Sequence, residues 1–239
     1  PLSQKKQKMA LNEDKIKNVI KTLSERSKKQ NNEYIIFGNL YVYVRDNLPS
    51  HVDLEEVFQF IYARVPQHLF SEVDAIYVGN FEELQEREIQ SIYKDGAIYV
   101  TNLQSNLMDM VEDIIHELAH SLEGPYGMTI YGDGQVNSEF IGKRIRLRDL
   151  LSSSGYDINS ANFENPEFDN NFDTYLHKEV GYPILTSLTF GLFNNAYAAT
   201  SLREYLASGF EEYILGDRDL ISTISPALFN KIQEIVLDG

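Results

Sequence analysis

The chain has no cysteine and no tryptophan, and only five histidines in 239 residues. Without cysteine there are no disulfides, no thiolate metal ligands and no cysteine nucleophile, so any metal chemistry must use histidine and carboxylates. No run of about eighteen apolar residues occurs, which excludes a spanning helix. The lysines near the start are followed by no apolar h-region, so the chain as given carries no secretory signal and is expected in a cytoplasm or a virion. Positive charge is scarce overall: 21 Lys and Arg stand against 36 Asp and Glu, a formal net charge of −15. Nine of the basic residues lie in residues 1–30 with three acids, leaving residues 31–239 with 12 basic and 33 acidic groups. A body this acidic repels nucleic acid and anionic membranes, whereas the basic leader could contact either or dock on the acidic body, and nucleic acid is not the expected partner.

What is present is concentrated in His116-Glu117-Leu118-Ala119-His120. Residues four apart on a helix share a face, so His116 and His120 can reach one metal ion, and Glu117 lies beside it as a general base for a metal-bound water. Val111, Ile114, Ile115, Leu118, Ala119 and Leu122 recur at helical spacing around the motif, which predicts a helix over 107–122 with a buried stripe. Ser105 or Asn106 can cap its start, and Gly124-Pro125 is read as its stop. Two histidines and a water leave a tetrahedral zinc site one protein ligand short.

His51, His68 and His177 remain, and the third histidine of a metzincin would fall at Tyr126, so the search moves to later carboxylates. Leu202, Tyr205, Leu206, Phe210, Tyr213 and Ile214 mark a second amphipathic helix, with Glu204 near its start. Glu211, two turns on, is the fallback ligand. The competing reading of Glu204 is a capping box, since Ser201-x-x-Glu204 has the spacing for a glutamate that returns a hydrogen bond to the cap residue. Glu123, three residues after His120, can hold the free ring nitrogen of a histidine or be an ordinary acid at a helix end.

HExxH followed by a glutamate on a downstream helix resembles the gluzincin branch of the zincin metallopeptidases, and most closely the lethal-factor-like group with its proline-proline endopeptidases. That group has a pattern near Y-x6-E-[FY]-x-A-x-x-F, matched here by Tyr197, Glu204, Tyr205, Ala207 and Phe210. The resemblance implies one zinc ion per chain on His116, His120 and Glu204, with Glu117 as general base and Tyr197 as donor to the oxyanion. Ser208 stands where the group often has a second acid, and the 83 residues between His120 and Glu204 exceed the spacing of its compact members. The segment from Gly181 to Asp217 also resembles metallopeptidase-like proteins of tailed bacteriophages.

The remaining pattern predicts an α+β fold of zincin type, a small twisted sheet and a mainly helical half with a cleft between them. Residues 1–30 form a basic amphipathic extension with Ile16, Val19, Ile20 and Leu23 on one stripe, suited to docking on the domain or on a protein partner. Residues 31–239 form the peptidase domain, sheet-bearing over 31–104 and helical over 105–239, with an insertion at about 124–196. Runs at 34–37 and 40–44 flank Gly38-Asn39 as a hairpin. A helix opened by Asp53, a strand at 74–79, a charged helix over about 82–91 and a strand at 97–101 follow. That last strand is expected to offer a free edge to substrate near Tyr99, Val100 and Thr101. Lys143, Arg144, Arg146 and Arg148 read as the solvated basic face of a helix over 136–151. The function implied is endopeptidase action on a peptide or protein substrate. The alternative is a zincin-fold structural or assembly protein, viral in setting, with latent or no proteolysis.

Overall fold

The computed structural model describes residues 33–37 and 39–238, and the expected N-terminal extension and its docking partner lie outside them. The fold is α+β. Strands β1 (Glu33–Ile36), β2 (Leu40–Val44), β3 (Ala75–Val78), β4 (Ser91–Lys94) and β5 (Ala97–Val100) form one open sheet in the order β1-β2-β3-β5-β4. The predicted hairpin is β1 and β2, antiparallel with Ile36 opposite Leu40. β2 and β3, and β3 and β5, are parallel, so their connections need crossovers. The first crossover carries helix α1 (Leu54–Tyr62), opened as expected by Asp53, whose side chain accepts from the Glu55 N–H. Alternation sends Val42, Ile76 and Ile98 to a fully buried face of the sheet.

Two expectations in this region fail. The charged helix is short, α2 (Glu82–Glu86), and Ser91–Lys94 turns back as a strand, because Asp95 at φ 51° and Gly96 at φ 78° make a tight hairpin turn into β5. β5 therefore has no free edge. It is bonded to β3 on one side and β4 on the other, with Tyr99 opposite both Tyr77 and Ile92, and the Thr101 N–H donates to the Gln90 carbonyl at 2.8 Å. Tyr99, Val100 and Thr101 cannot add a substrate strand, and the exposed edge on that side is β4.

The chain divides into two compact units, one of residues 33–63 and 73–111 and one of residues 64–72 and 112–238. Arg64–Glu72 belongs with the helices, where His68 Nε2 donates to the Ile235 carbonyl at 3.0 Å. The helical elements are α3 (Leu107–Tyr131), α4 (Gln135–Ser153), α5 (Asn170–Thr174) running into a π-helical turn (Tyr175–Val180), α6 (Tyr182–Thr189), α7 (Leu202–Leu215), α8 (Arg218–Ile224) and α9 (Pro226–Leu237). The HExxH helix α3 does not stop at Gly124-Pro125 but runs to Tyr131 with Pro125 inside it. Those two residues are exposed, whereas Ile130 beyond them is fully buried, so apolar packing offsets the hydrogen bond that proline removes. α7 and α9 approach closely at Gly209, where an added Cβ would collide with the Leu228 side chain.

The basic face predicted for α4 is also corrected. Lys143 and Arg144 are buried, at 6% and 1% exposure. Lys143 Nζ donates to Ser225 Oγ at 2.5 Å and lies 4.8 Å from the centre of the Tyr205 ring. The Arg144 guanidinium stacks 3.7 Å from the Phe172 ring centre and donates to the Asn165 and Asn162 carbonyls, pinning the loop after α4. A one-dimensional pattern counts both as solvated, but their long apolar stems fill core space while the charged ends find carbonyls and rings.

Candidate metal centre

Asn106 starts α3, its side-chain oxygen accepting from the Asp109 N–H at 3.0 Å. The predicted stripe is realised in full: Val111, Ile114, Ile115, Leu118, Ala119 and Leu122 are at most 1% exposed. That burial fixes the rotation of α3 and turns His116 and His120, partly buried, toward the start of α7.

There Ser201 caps α7, with its Oγ accepting from the Glu204 N–H at 3.2 Å. Half of the capping box is thus formed, but the Glu204 carboxylate turns to the histidines instead of back to Ser201. Glu204 Oε2 is 3.0 Å from His116 Nε2, and Oε1 is 3.6 Å from His120 Nε2. One donor atom from each of the three side chains lies within 4.8 Å of the others, and among the described residues this is the group that can hold a metal ion. The edge of a tetrahedron with zinc–ligand bonds near 2.0–2.1 Å is about 3.3 Å, and the two distances bracket it. The donor set therefore fits a divalent cation. Asp157, Glu164 and Glu167 do not form such a group.

Each histidine is held from behind. His116 Nδ1 is 3.4 Å from Glu211 Oε2, and His120 Nδ1 is 3.3 Å from Glu123 Oε1. Glu211 is thus placed on the far nitrogen of His116 and not among the converging atoms, while Glu123 takes the position anticipated for it. Glu123 is itself fixed by Arg203 Nε at 2.8 Å. Such contacts set which ring nitrogen is free and hold the ring plane. Burial pushes the Glu204 carboxyl up, but the hydrogen bond to His116 and the charges of His120, His116 and Arg203 bring it below its usual value. Burial likewise opposes a charge on His116, yet hydrogen bonds to Glu204 and Glu211 raise it to about 10.

Glu117 is 6% exposed and follows His116 on α3. Tyr197 opens a 3-10 turn (Tyr197–Ala199), and its ring centre is 6.4 Å from that of His116. Burial first, and then the charge of Glu204, push its hydroxyl above the usual tyrosine value, so it stays a protonated donor. The turn is anchored through Asn195, whose side-chain oxygen accepts from the Ala198 N–H at 2.8 Å and lies 3.5 Å from Ser208 Oγ. Ser208 thereby ties α7 to the tyrosine turn.

Sequence reasoning missed Arg203, Asp173 and Tyr182. Asp173 and Tyr182 lie on the segment between the two ligand helices. Burial raises both, and both also feel the charge of Glu204. No periodicity or spacing marks such groups, because they meet the site only through tertiary folding. Compared with protein family models, with curated proteins and with solved structures, the chain finds no match.

Proposed function

We propose that the chain is a zinc-dependent endopeptidase of gluzincin type. The observation that carries this reading is the convergence of His116, His120 and Glu204, with Glu117 on the same helical turn and each histidine backed by its own carboxylate. His116, His120 and Glu204 would hold one zinc ion, which when bound supplies a Lewis acid that brings a water's pKa toward neutrality. Glu117 accepts the proton of the attacking water and passes it to the leaving amine. Tyr197 donates its hydroxyl proton in a hydrogen bond to the oxyanion that develops on the scissile carbonyl. Glu211, Glu123 and Arg203 keep the imidazoles in the orientation and tautomer that leave both Nε2 atoms free for metal. The acidic body favours basic or neutral peptides over acidic ones.

The test is metal content by elemental mass spectrometry on wild type, His120→Ala and Glu204→Ala, purified without added metal, followed by cleavage of a peptide library. One zinc per chain, lost in both variants, with library cleavage that Glu117→Gln abolishes, supports the proposal. Zinc kept in Glu204→Ala overturns the third-ligand assignment. Zinc bound with no cleavage of any peptide by wild type overturns the peptidase reading and favours a zincin-fold assembly protein.

A further inference from the structure

The face of the sheet opposite Val42, Ile76 and Ile98 is built from tyrosine. Tyr43, Tyr77 and Tyr99 are register partners on β2, β3 and β5, with stacked rings at 5.1 Å and 5.0 Å between centres. Tyr41 extends the row at 6.2 Å from Tyr43, and Phe81 closes it edge-on at 5.4 Å from Tyr99. Ile35, opposite Tyr41 on β1, is 41% exposed and Tyr41 is 46% exposed. Rings stacked along the sheet turn their edges and hydroxyls outward, which makes a ridge apolar at its base and hydrogen-bonding at its crest.

We propose that this ridge is the docking surface for residues 15–29 of the same chain, which lie outside the described residues. Three observations select that occupant. The first is charge: residues 33–63 and 73–111 hold twelve acids against Arg45, Arg87 and Lys94, whereas residues 1–32 hold nine basic groups against three acids. The second is pattern, because Ile16, Val19, Ile20 and Leu23 make one helical stripe flanked by Lys15, Lys17, Lys21 and Arg26. The stripe suits the ring edges, and the lysines suit the hydroxyls and the Glu33 carboxylate beside Tyr43. The third is tethering: Glu33, the first residue of β1, faces the same side as its partner Tyr43, so the point of attachment of that segment lies beside the ridge. Such a tether supplies an effective concentration in the millimolar range. A helix over 15–29 would span about 22 Å, close to the roughly 19 Å across five strands. The surface is independent of the metal reading.

Hydroxyl-radical footprinting read by mass spectrometry reports each tyrosine separately. In the full chain Tyr41, Tyr43, Tyr77 and Tyr99 are expected to be protected several-fold relative to full-length Ile16→Asp/Ile20→Asp. A full-length Lys17→Glu/Lys21→Glu variant should lose protection in part, and 1 M salt should do the same to wild type. Equal reactivity in wild type and both variants overturns the proposal. Protection that grows with protein concentration overturns it in favour of docking onto a second copy.

Discussion

Two polar clusters in the helical unit begin at neighbouring residues of α7 and end in opposite chemistry. Tyr205 donates its hydroxyl to Glu139 at 2.8 Å, and the same carboxylate accepts from the Ala227 and Leu228 N–H groups at 2.8 and 3.1 Å, capping α9. Lys143 reaches Ser225, and Arg144 reaches two carbonyls. Most donors there end on an acceptor inside the cluster, with Glu139 taking three and only the Arg144 Nε of these groups buried without a partner. Glu204, one residue earlier, faces two imidazoles among Glu117, Glu123 and Glu211, so that centre has a surplus of acceptors and negative charge. A polar cluster closed upon itself stabilises the fold, whereas one with converging acceptors could hold a cation.

Breaking the comparison at its most reactive point should give the largest effect. Glu117→Gln is expected to lower peptide cleavage by about a thousandfold with zinc content unchanged, read by single-turnover assay and elemental analysis, because general-base contributions are typically that large. In the closed cluster, Glu139→Ala strands a hydroxyl and two N–H groups. It should lower unfolding free energy by about 3 kcal/mol in urea titration while zinc affinity per folded molecule stays at the wild-type value. Glu211→Ala should show the converse, a zinc affinity reduced about 10- to 100-fold by chelator competition with little change in stability. A loss of stability without loss of affinity would make Glu211 a member of the structural class.

The smallest effect concerns pH. Burial depresses Lys143 from its usual 10.5 to about 8, helped by Arg146 and opposed by Glu139. A lysine depressed in the folded state carries its full penalty below pH 8, and the penalty fades as pH rises toward 10.5. Between pH 7.5 and 9.5, wild type should therefore gain about 2 kcal/mol relative to Lys143→Met, the comparison cancelling the general repulsion of an acidic chain. An unchanged difference would show that Lys143 keeps its proton throughout.

Much of the sheet was legible because short apolar runs bounded by Gly, Asn and Asp mark strands and turns locally, as at Gly38-Asn39 and Asp95-Gly96. β4 was not, since Ser91–Lys94 is four residues of mixed polarity directly after a charged helix, and only pairing with β5 makes it a strand. The early stop assigned to α3 misjudged a proline that downstream burial overrides. At the candidate metal centre, His116, Glu117 and His120 could be read from the i, i+4 spacing and the helix pattern, which constrain geometry within a few residues, whereas Glu204 was singled out by the resemblance of the stretch from Tyr197 to Phe210 to a known pattern. The position of Glu211 behind His116 could not, since spacing along α7 places it on the Glu204 face without saying which atom it meets.

The sequence by itself determined the His116-to-His120 turn of the candidate site and the periodicity of the helices that carry it, because both follow from local backbone geometry. Tertiary structure alone decided which carboxylate meets which ring nitrogen, that Lys143 and Arg144 are buried, and that β5 has no free edge. Those outcomes depend on packing between elements distant in the chain, and no local rule contains them.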